Sequence, residues 1–89
     1  MKDILNENFR DGLKEDYCLV DFYANWCGPC KRMTPELESF SGRNSDIEVL
    51  KVNIEDYNTL SSEFKIRAVP TLVFLKREDG VFVEKKRLS

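Results

Sequence analysis

The chain has 89 residues, of which 42% are hydrophobic and 34% charged, and its 14 basic and 16 acidic residues give a net charge of -2. A chain of this length buries only about 60 to 65% of the surface that it exposes when unfolded, which predicts one small domain over residues 1–89 and excludes two. Because the charge balance is slightly acidic, no positive field attracts a phosphate backbone, and we expect no nucleic-acid ligand.

The sequence carries no sign of a membrane segment or an export signal. No apolar stretch approaches the ~20 residues that a membrane-spanning helix needs. Segment 1–7, Met-Lys-Asp-Ile-Leu-Asn-Glu, contains acids and amides where a signal peptide needs a continuous apolar region. We therefore expect no membrane association and a cytoplasmic protein.

Hydrophobic periodicity predicts helices alternating with strands. In chain order we expect a short helix from Asn6 or Asn8 to about Glu15, a buried strand at Cys18–Ala24, a helix after Cys30 with Gly42 as its stop, a strand at Ile47–Ile54, a helix at Thr59–Phe64, a strand at Thr71–Leu75, a turn at 78–80 and a strand at 81–83. A strand–helix–strand unit makes two parallel strands, while the final hairpin adds antiparallel pairing. The predicted fold is therefore α/β, with a central mixed sheet flanked by helices.

The strongest chemical signal is the pair Cys27 and Cys30, separated by two residues where a buried strand meets the start of a helix. Unpaired N–H groups and the positive dipole end at a helix start favour a thiolate over a thiol. Cys27 is therefore the candidate nucleophile, with a sulfur that we expect to be accessible to solvent. The three-residue offset brings Cys30 alongside, so the pair can close into a disulfide and Cys30 is the candidate resolving thiol.

Other interpretations of the cysteines stay open at this point. Paired cysteines are half of a zinc site, but the chain has no histidine and only one further cysteine, Cys18, so a single chain lacks four such ligands. A metal shared between two chains, or chance spacing of two inert cysteines, would still fit. Cys18 itself is predicted to be a small buried residue, with a regulatory thiol as the alternative.

The sequence resembles the thioredoxin family from about residue 9 to residue 82. Matching segments are Val-Asp-Phe-Tyr-Ala-Asn-Trp-Cys-Gly-Pro-Cys-Lys at 20–31, Pro35, Lys-Val-Asn-Ile at 51–54 and Ile-Arg-Ala-Val-Pro-Thr at 66–71. Within that family Trp-Cys-Gly-Pro-Cys is the pattern of the reductases, whereas glutaredoxins and strongly oxidising relatives usually carry other dipeptides between the cysteines. The resemblance therefore implies a thioredoxin-like fold and a reductase.

The resemblance also implies what is missing. Members of the family normally begin with an extra strand and end with a long amphipathic helix, and we expect this chain to lack both. A chain truncated at its C-terminal end would explain the same ending. One sheet face would then be bare, and because monomers rarely tolerate large apolar patches, we expect a marginally stable fold or self-association through that face.

Asp21 is the one charged residue in the predicted strand at 18–24. Strand alternation places Asp21 on the same sheet face as Lys51 of the next parallel strand, which makes the lysine a candidate partner. An aspartate on an edge strand that faces water is the alternative. The resemblance implies instead that Asp21 is a buried proton acceptor for the resolving thiol, with Lys51 nearby.

A substrate surface is expected around the cysteine pair. The resemblance implies a cis peptide bond between Val69 and Pro70, in a loop that lies against the turn containing Gly28 and Pro29. Backbone groups of Val69 would bind an extended substrate as an added strand, beside an apolar platform of Trp26 and Pro29. A plain core aromatic is the alternative for Trp26.

These observations together predict a protein disulfide reductase that acts by dithiol–disulfide exchange, keeps protein thiols reduced and donates electrons. No bound cofactor is needed; the resemblance implies disulfide-containing proteins as substrates and a flavin-containing thioredoxin reductase that uses NADPH as the source of electrons. A disulfide oxidase or isomerase is one alternative. A non-catalytic thioredoxin-like binding module is the other.

Overall fold

The structure is a computed structural model that describes residues 1–89, and its strands form one five-stranded sheet. The elements are β1 (Lys2–Asp3), a 3-10 helix (Phe9–Gly12), β2 (Tyr17–Tyr23), α1 (Gly28–Arg43), β3 (Ile47–Asn53), α2 (Asn58–Glu63), β4 (Thr71–Glu78) and β5 (Val81–Leu88). The strand order across the sheet is β1, β3, β2, β4, β5. The first three of these are parallel, while β4 is antiparallel to β2 and to β5. The predicted mixed sheet is confirmed.

Two expectations about the N-terminal part are wrong. A strand does precede the first helix, because Lys2 and Asp3 pair in parallel with Leu50 and Lys51 of β3. Two residues are too few to show the alternation by which a strand is recognised in a sequence. The expected helix up to residue 15 is a single 3-10 turn, Phe9–Gly12, without a side-chain cap at its start.

The main core lies on one face of the sheet. Because alternate strand residues point to opposite faces, Cys18, Val20 and Phe22 of β2 all point into this core. The other buried members are Ile4, Phe9, Leu50, Val52, Leu60, Phe64, Val73 and Leu75. β2 is paired on both edges, which makes it the central strand of the sheet. Its side chains on this face are buried by the core residues packed against them, which explains its apolar sequence.

The opposite face of the sheet carries α1 and is only partly covered. A groove of about 720 Å³ lies beside α1. Its apolar lining includes Leu19, Leu37, Phe40, Leu72 and Leu88. Leu88 of β5 is 56% exposed. Neither α-helix has the length and apolar character that a membrane crossing requires.

Self-association through this groove stays a prediction. We expect the sedimentation coefficient of the protein to rise with concentration and Leu88→Lys to abolish that rise, because a lysine on the groove opposes burial of the face. Val81→Lys is the matched control, since Val81 is a 64% exposed aliphatic residue of the same strand that does not line the groove. Monomeric sedimentation at every concentration, with a sharp melting transition independent of concentration, would contradict the prediction.

Candidate functional site

The cysteine pair lies where the central strand is followed by α1. β2 ends at Tyr23 and α1 begins at Gly28, so Cys27 is the residue that caps the helix. Cys27 and Cys30 form a disulfide whose Cα atoms are 5.3 Å apart. The backbone N–H of Cys30 donates a hydrogen bond to Sγ of Cys27 at 3.1 Å. This donor and the helix dipole favour negative charge on that sulfur once the disulfide is reduced.

The disulfide is more enclosed than the sequence suggests. Cys27 and Cys30 are each only 4% exposed, so little of either residue reaches solvent in the disulfide form, and a solvent-accessible sulfur at Cys27 stays a prediction. Ala24 completes a small buried cluster with the two cysteines, and Tyr23 and Val69 pack against it. Spacing alone places Cys27 at a helix start but cannot show this packing, since Val69 lies 42 positions further along the chain; the expectation that the Val69 loop lies here comes from the family resemblance.

The expected substrate residues surround this cluster. The peptide bond between Val69 and Pro70 is cis, and Val69 contacts the disulfide cluster, as the family resemblance implies. Trp26 is 67% exposed, so it is not a core aromatic. Pro29 is exposed in the first turn of α1, next to the half-buried Gly28. All five residues therefore lie in the chain segments that enclose the disulfide, and two of them present an apolar surface to solvent.

Asp21 lies beneath the cysteines in the middle of the sheet and is 1% exposed. The alternative of an edge-strand aspartate is wrong, because β2 is paired on both sides. Asp21 lines a cavity of about 110 Å³ together with Cys30, Thr34 and Lys51. Burial raises the pKa of Asp21 to about 6, while the charge of Lys51 lowers this pKa and that of Asp3 raises it. The Oδ1 atom of Asp21 has no hydrogen-bond partner.

Lys51 lies on the same sheet face as Asp21, as strand alternation predicts, but its ammonium forms no ion pair with a carboxylate. Its Cα is the register partner of the Asp21 Cα on the neighbouring strand. The ammonium lies over the ring of Tyr23, with Nζ 4.5 Å from the ring centroid. None of the four ion pairs in the structure includes Lys51.

Two residues of this site were not identified from the sequence. The hydroxyl of Tyr23 donates a hydrogen bond of 2.7 Å to Oδ1 of Asp3. Burial, together with this bond and the charge of Asp3, raises the pKa of Tyr23 to about 12. Alternation along β2 already places Tyr23 on the face of Asp21, which was an available signal. No pattern identifies Asp3, because β1 is only two residues long.

Cys18 lies away from the disulfide, in the main core. It is fully buried and has a free thiol. Burial, with a smaller contribution from Glu48, raises the pKa of Cys18 to about 12. A thiol with such a pKa is neutral at pH 7 and a poor nucleophile, as expected for a small buried core residue.

Comparison with known proteins identifies the family. The model of the Thioredoxin family matches residues 1–87. This chain belongs to the thioredoxin family. It is 40% identical over 88 residues to thioredoxin of Mycoplasmoides gallisepticum, covering 97% of this chain and 86% of that protein. It is 37% identical over 82 residues to thioredoxin of Chlamydia trachomatis, covering 92% of this chain and 78% of the relative.

Similarity to solved structures extends over the whole fold. The X-ray structure of Fasciola hepatica thioredoxin superposes with a TM-score of 0.86 at 30% identity, covering 100% of this chain and 86% of the other. Family membership and the Cys27–Cys30 disulfide together make the chain a thioredoxin-type protein disulfide reductase, which acts by dithiol–disulfide exchange on disulfide substrates.

The raised pKa of Asp21 makes stability depend on pH. The folded pKa of about 6 exceeds the ~3.9 of an unfolded aspartate, so the folded state binds the extra proton and stability falls as pH rises from about 4 through 6. Asp21→Asn cannot ionise, and we expect it to raise the free energy of unfolding at pH 8 by about 2 to 3 kcal/mol. Chemical denaturation of both proteins at pH 4 and pH 8 tests this.

The gain should shrink toward pH 4, where wild-type Asp21 is protonated. Asp11→Asn is the control, because Asp11 is an exposed acid with no part in this cavity. An Asp21→Asn effect of the same size at both pH values would show that Asp21 does not bind the extra proton.

Proposed function

We propose that Cys27 is the attacking thiol of this reductase, Cys30 the resolving thiol and Asp21 the proton acceptor for Cys30. In the first step the thiolate of Cys27 attacks one sulfur of a substrate disulfide, forming a mixed disulfide and releasing the other substrate sulfur as a thiolate. In the second step Cys30 loses its proton to Asp21, directly or through water, and its sulfur attacks Sγ of Cys27. The substrate leaves with both sulfurs reduced, while the cysteine pair is oxidised by two electrons.

The observation that carries this assignment is the cavity of about 110 Å³ that Asp21 and Cys30 share. Cys27 does not line it, so of the two cysteines only Cys30 shares this cavity with the carboxylate. A carboxylate with a pKa of about 6 is ionised at pH 7 and is still a stronger base than an ordinary aspartate. Lys51 lines the same cavity and contributes by setting how strongly Asp21 holds the proton.

Substrate binding is proposed at the exposed surface beside the disulfide. An extended segment of the substrate would lie along the loop at Val69 and Pro70 and pair with backbone groups of Val69, as an added strand does. Trp26 and Pro29 would contact its apolar side chains, and the lack of a side chain at Gly28 would leave room for its backbone. The exposure of Trp26, 67%, supports this, because a large aromatic surface is costly to leave in water.

The electron source and compartment are proposed by analogy with the family. The redox group is the Cys27–Cys30 disulfide itself, so the reaction needs no bound cofactor. A flavin-containing thioredoxin reductase would restore the dithiol with electrons from NADPH. A cytoplasmic location fits a reductase, because that compartment keeps thiols reduced.

Single-cysteine substitutions test the roles of the two thiols. Reduced Cys30→Ser should accumulate a mixed disulfide with a protein substrate, because the attacking thiol is present and the resolving thiol is not. Cys27→Ser should accumulate at least about tenfold less, because the remaining thiol of Cys30 lacks the amide donor and the helix-cap position of Cys27. Non-reducing electrophoresis with mass spectrometry measures both.

Cys18→Ser is the matched control and should behave as the wild type, because Cys18 is buried in the core, away from the disulfide. Equal accumulation of mixed disulfide by Cys30→Ser and Cys27→Ser would reject the assigned roles.

A further inference from the structure

Three charged residues lie in a row across neighbouring strands at the base of the site. The Cα of Lys51 in β3 is in register with Asp3 of β1 on one side and with Asp21 of β2 on the other. Residues that are register partners in a parallel sheet present their side chains on the same face. Lys51 is therefore positioned between two carboxylates, one buried and one exposed.

The ammonium of Lys51 is bound to neither carboxylate. It lies 4.5 Å from the centroid of the Tyr23 ring, and the hydroxyl at the far end of that ring is hydrogen-bonded to Asp3 at 2.7 Å. A cation over an aromatic face gains about 0.5 to 2 kcal/mol, which helps to hold the ammonium there. Asp21, in contrast, keeps Oδ1 without a hydrogen-bond partner.

We propose that Asp3 is a positioning residue of the reductase: it anchors the Tyr23 ring under Lys51 and draws the lysine away from Asp21, so that Asp21 stays free to accept a proton from Cys30. This inference rests on the proposed role of Asp21 as proton acceptor. Asp3 touches neither the disulfide nor the cavity that Asp21 and Cys30 share, so it would act only through Tyr23 and Lys51 and through its own charge.

The physical reason is that a carboxylate paired with an ammonium is a weak base. An ion pair between Lys51 and Asp21 would stabilise the ionised form and lower the pKa of Asp21. Asp3 opposes this in two ways, because its charge repels the ionised form of Asp21 and because it competes for the lysine. The charge of Asp3 does raise the pKa of Asp21.

Few charged or titratable side chains surround Asp21. β3 contributes Lys51, β1 contributes Asp3, and α1 contributes Cys30 and Lys31, which line the same cavity. Tyr23 is the remaining titratable neighbour on β2, and the register partner of Asp21 in β4 is the apolar Leu72. Asp3 is therefore the only acidic side chain among these groups.

The test replaces Asp3 by Asn, which keeps the size of the side chain and an oxygen for the Tyr23 hydroxyl but removes the charge. We expect the titration of the Asp21 carboxyl, followed by carbon NMR in the disulfide form, to move down by at least a few tenths of a pH unit. The pH profile of the resolving step, measured on a preformed mixed disulfide in a single turnover, should move down equally. Asp11→Asn is the control for net charge and should move neither.

Repeating the Asp3→Asn substitution in a Lys51→Met protein separates an effect through Lys51 from direct charge repulsion between Asp3 and Asp21. In Lys51→Met the ammonium is gone, so Asp3→Asn should move the Asp21 titration by clearly less than it does with Lys51 present. An equal movement in both backgrounds would overturn the inference that Asp3 acts through the lysine. No movement in either would overturn any role of Asp3.

The same data separate this inference from the proposed function. If Asp3→Asn moves the Asp21 titration less in the Lys51→Met background than with Lys51 present, but does not move the rate profile, the positioning of Lys51 stands and Asp21 is not the proton acceptor. If the wild-type rate profile follows the Asp21 titration and Asp3→Asn moves neither, Asp21 keeps its role and the inference about Asp3 fails.

Discussion

The start of α1 immediately after the central strand is the constraint on which the site depends. β2 is paired on both edges and buried, so its end is fixed in space, and the helix that begins at Gly28 fixes the two sulfurs relative to it. The cap position gives Cys27 an amide donor, and the third position of the helix turns Cys30 inward, toward the cavity that Asp21 also lines. One backbone feature thus makes two identical side chains chemically different.

The second feature is a buried carboxylate that destabilises the fold. Asp21 is almost fully buried with an unpartnered oxygen, and desolvation is the main cause of its raised pKa. A purely structural strand would gain stability from an apolar residue at this position. On the proposed mechanism, stability is given up here for a base with a pKa near neutral, which is a common property of catalytic sites.

The sequence predicts the site best where the chemistry depends on the spacing of residues within one helix turn or on alternation along one strand. The spacing of Cys27 and Cys30 and the alternation that aligns Asp21 with Lys51 both depend on local geometry, and the structure confirms both. Features that depend on distant chain segments do not follow from local spacing. The packing of Val69 against the cysteines is expected only from the family resemblance, and the link from Asp3 to Tyr23 depends on a two-residue strand that leaves no pattern. Strand alternation likewise could not show that the ammonium of Lys51 would lie over the Tyr23 ring instead of pairing with a carboxylate.

Dithiol–disulfide exchange by this chain is tested most directly by the thiol balance of one turnover. The fully reduced protein is mixed with one equivalent of a protein carrying a single disulfide, and all cysteines are identified by alkylation and peptide mass spectrometry. We expect two new substrate thiols for each Cys27–Cys30 disulfide formed, with Cys18 recovered as a free thiol throughout. A substrate that stays oxidised, or a product disulfide that contains Cys18, would contradict it.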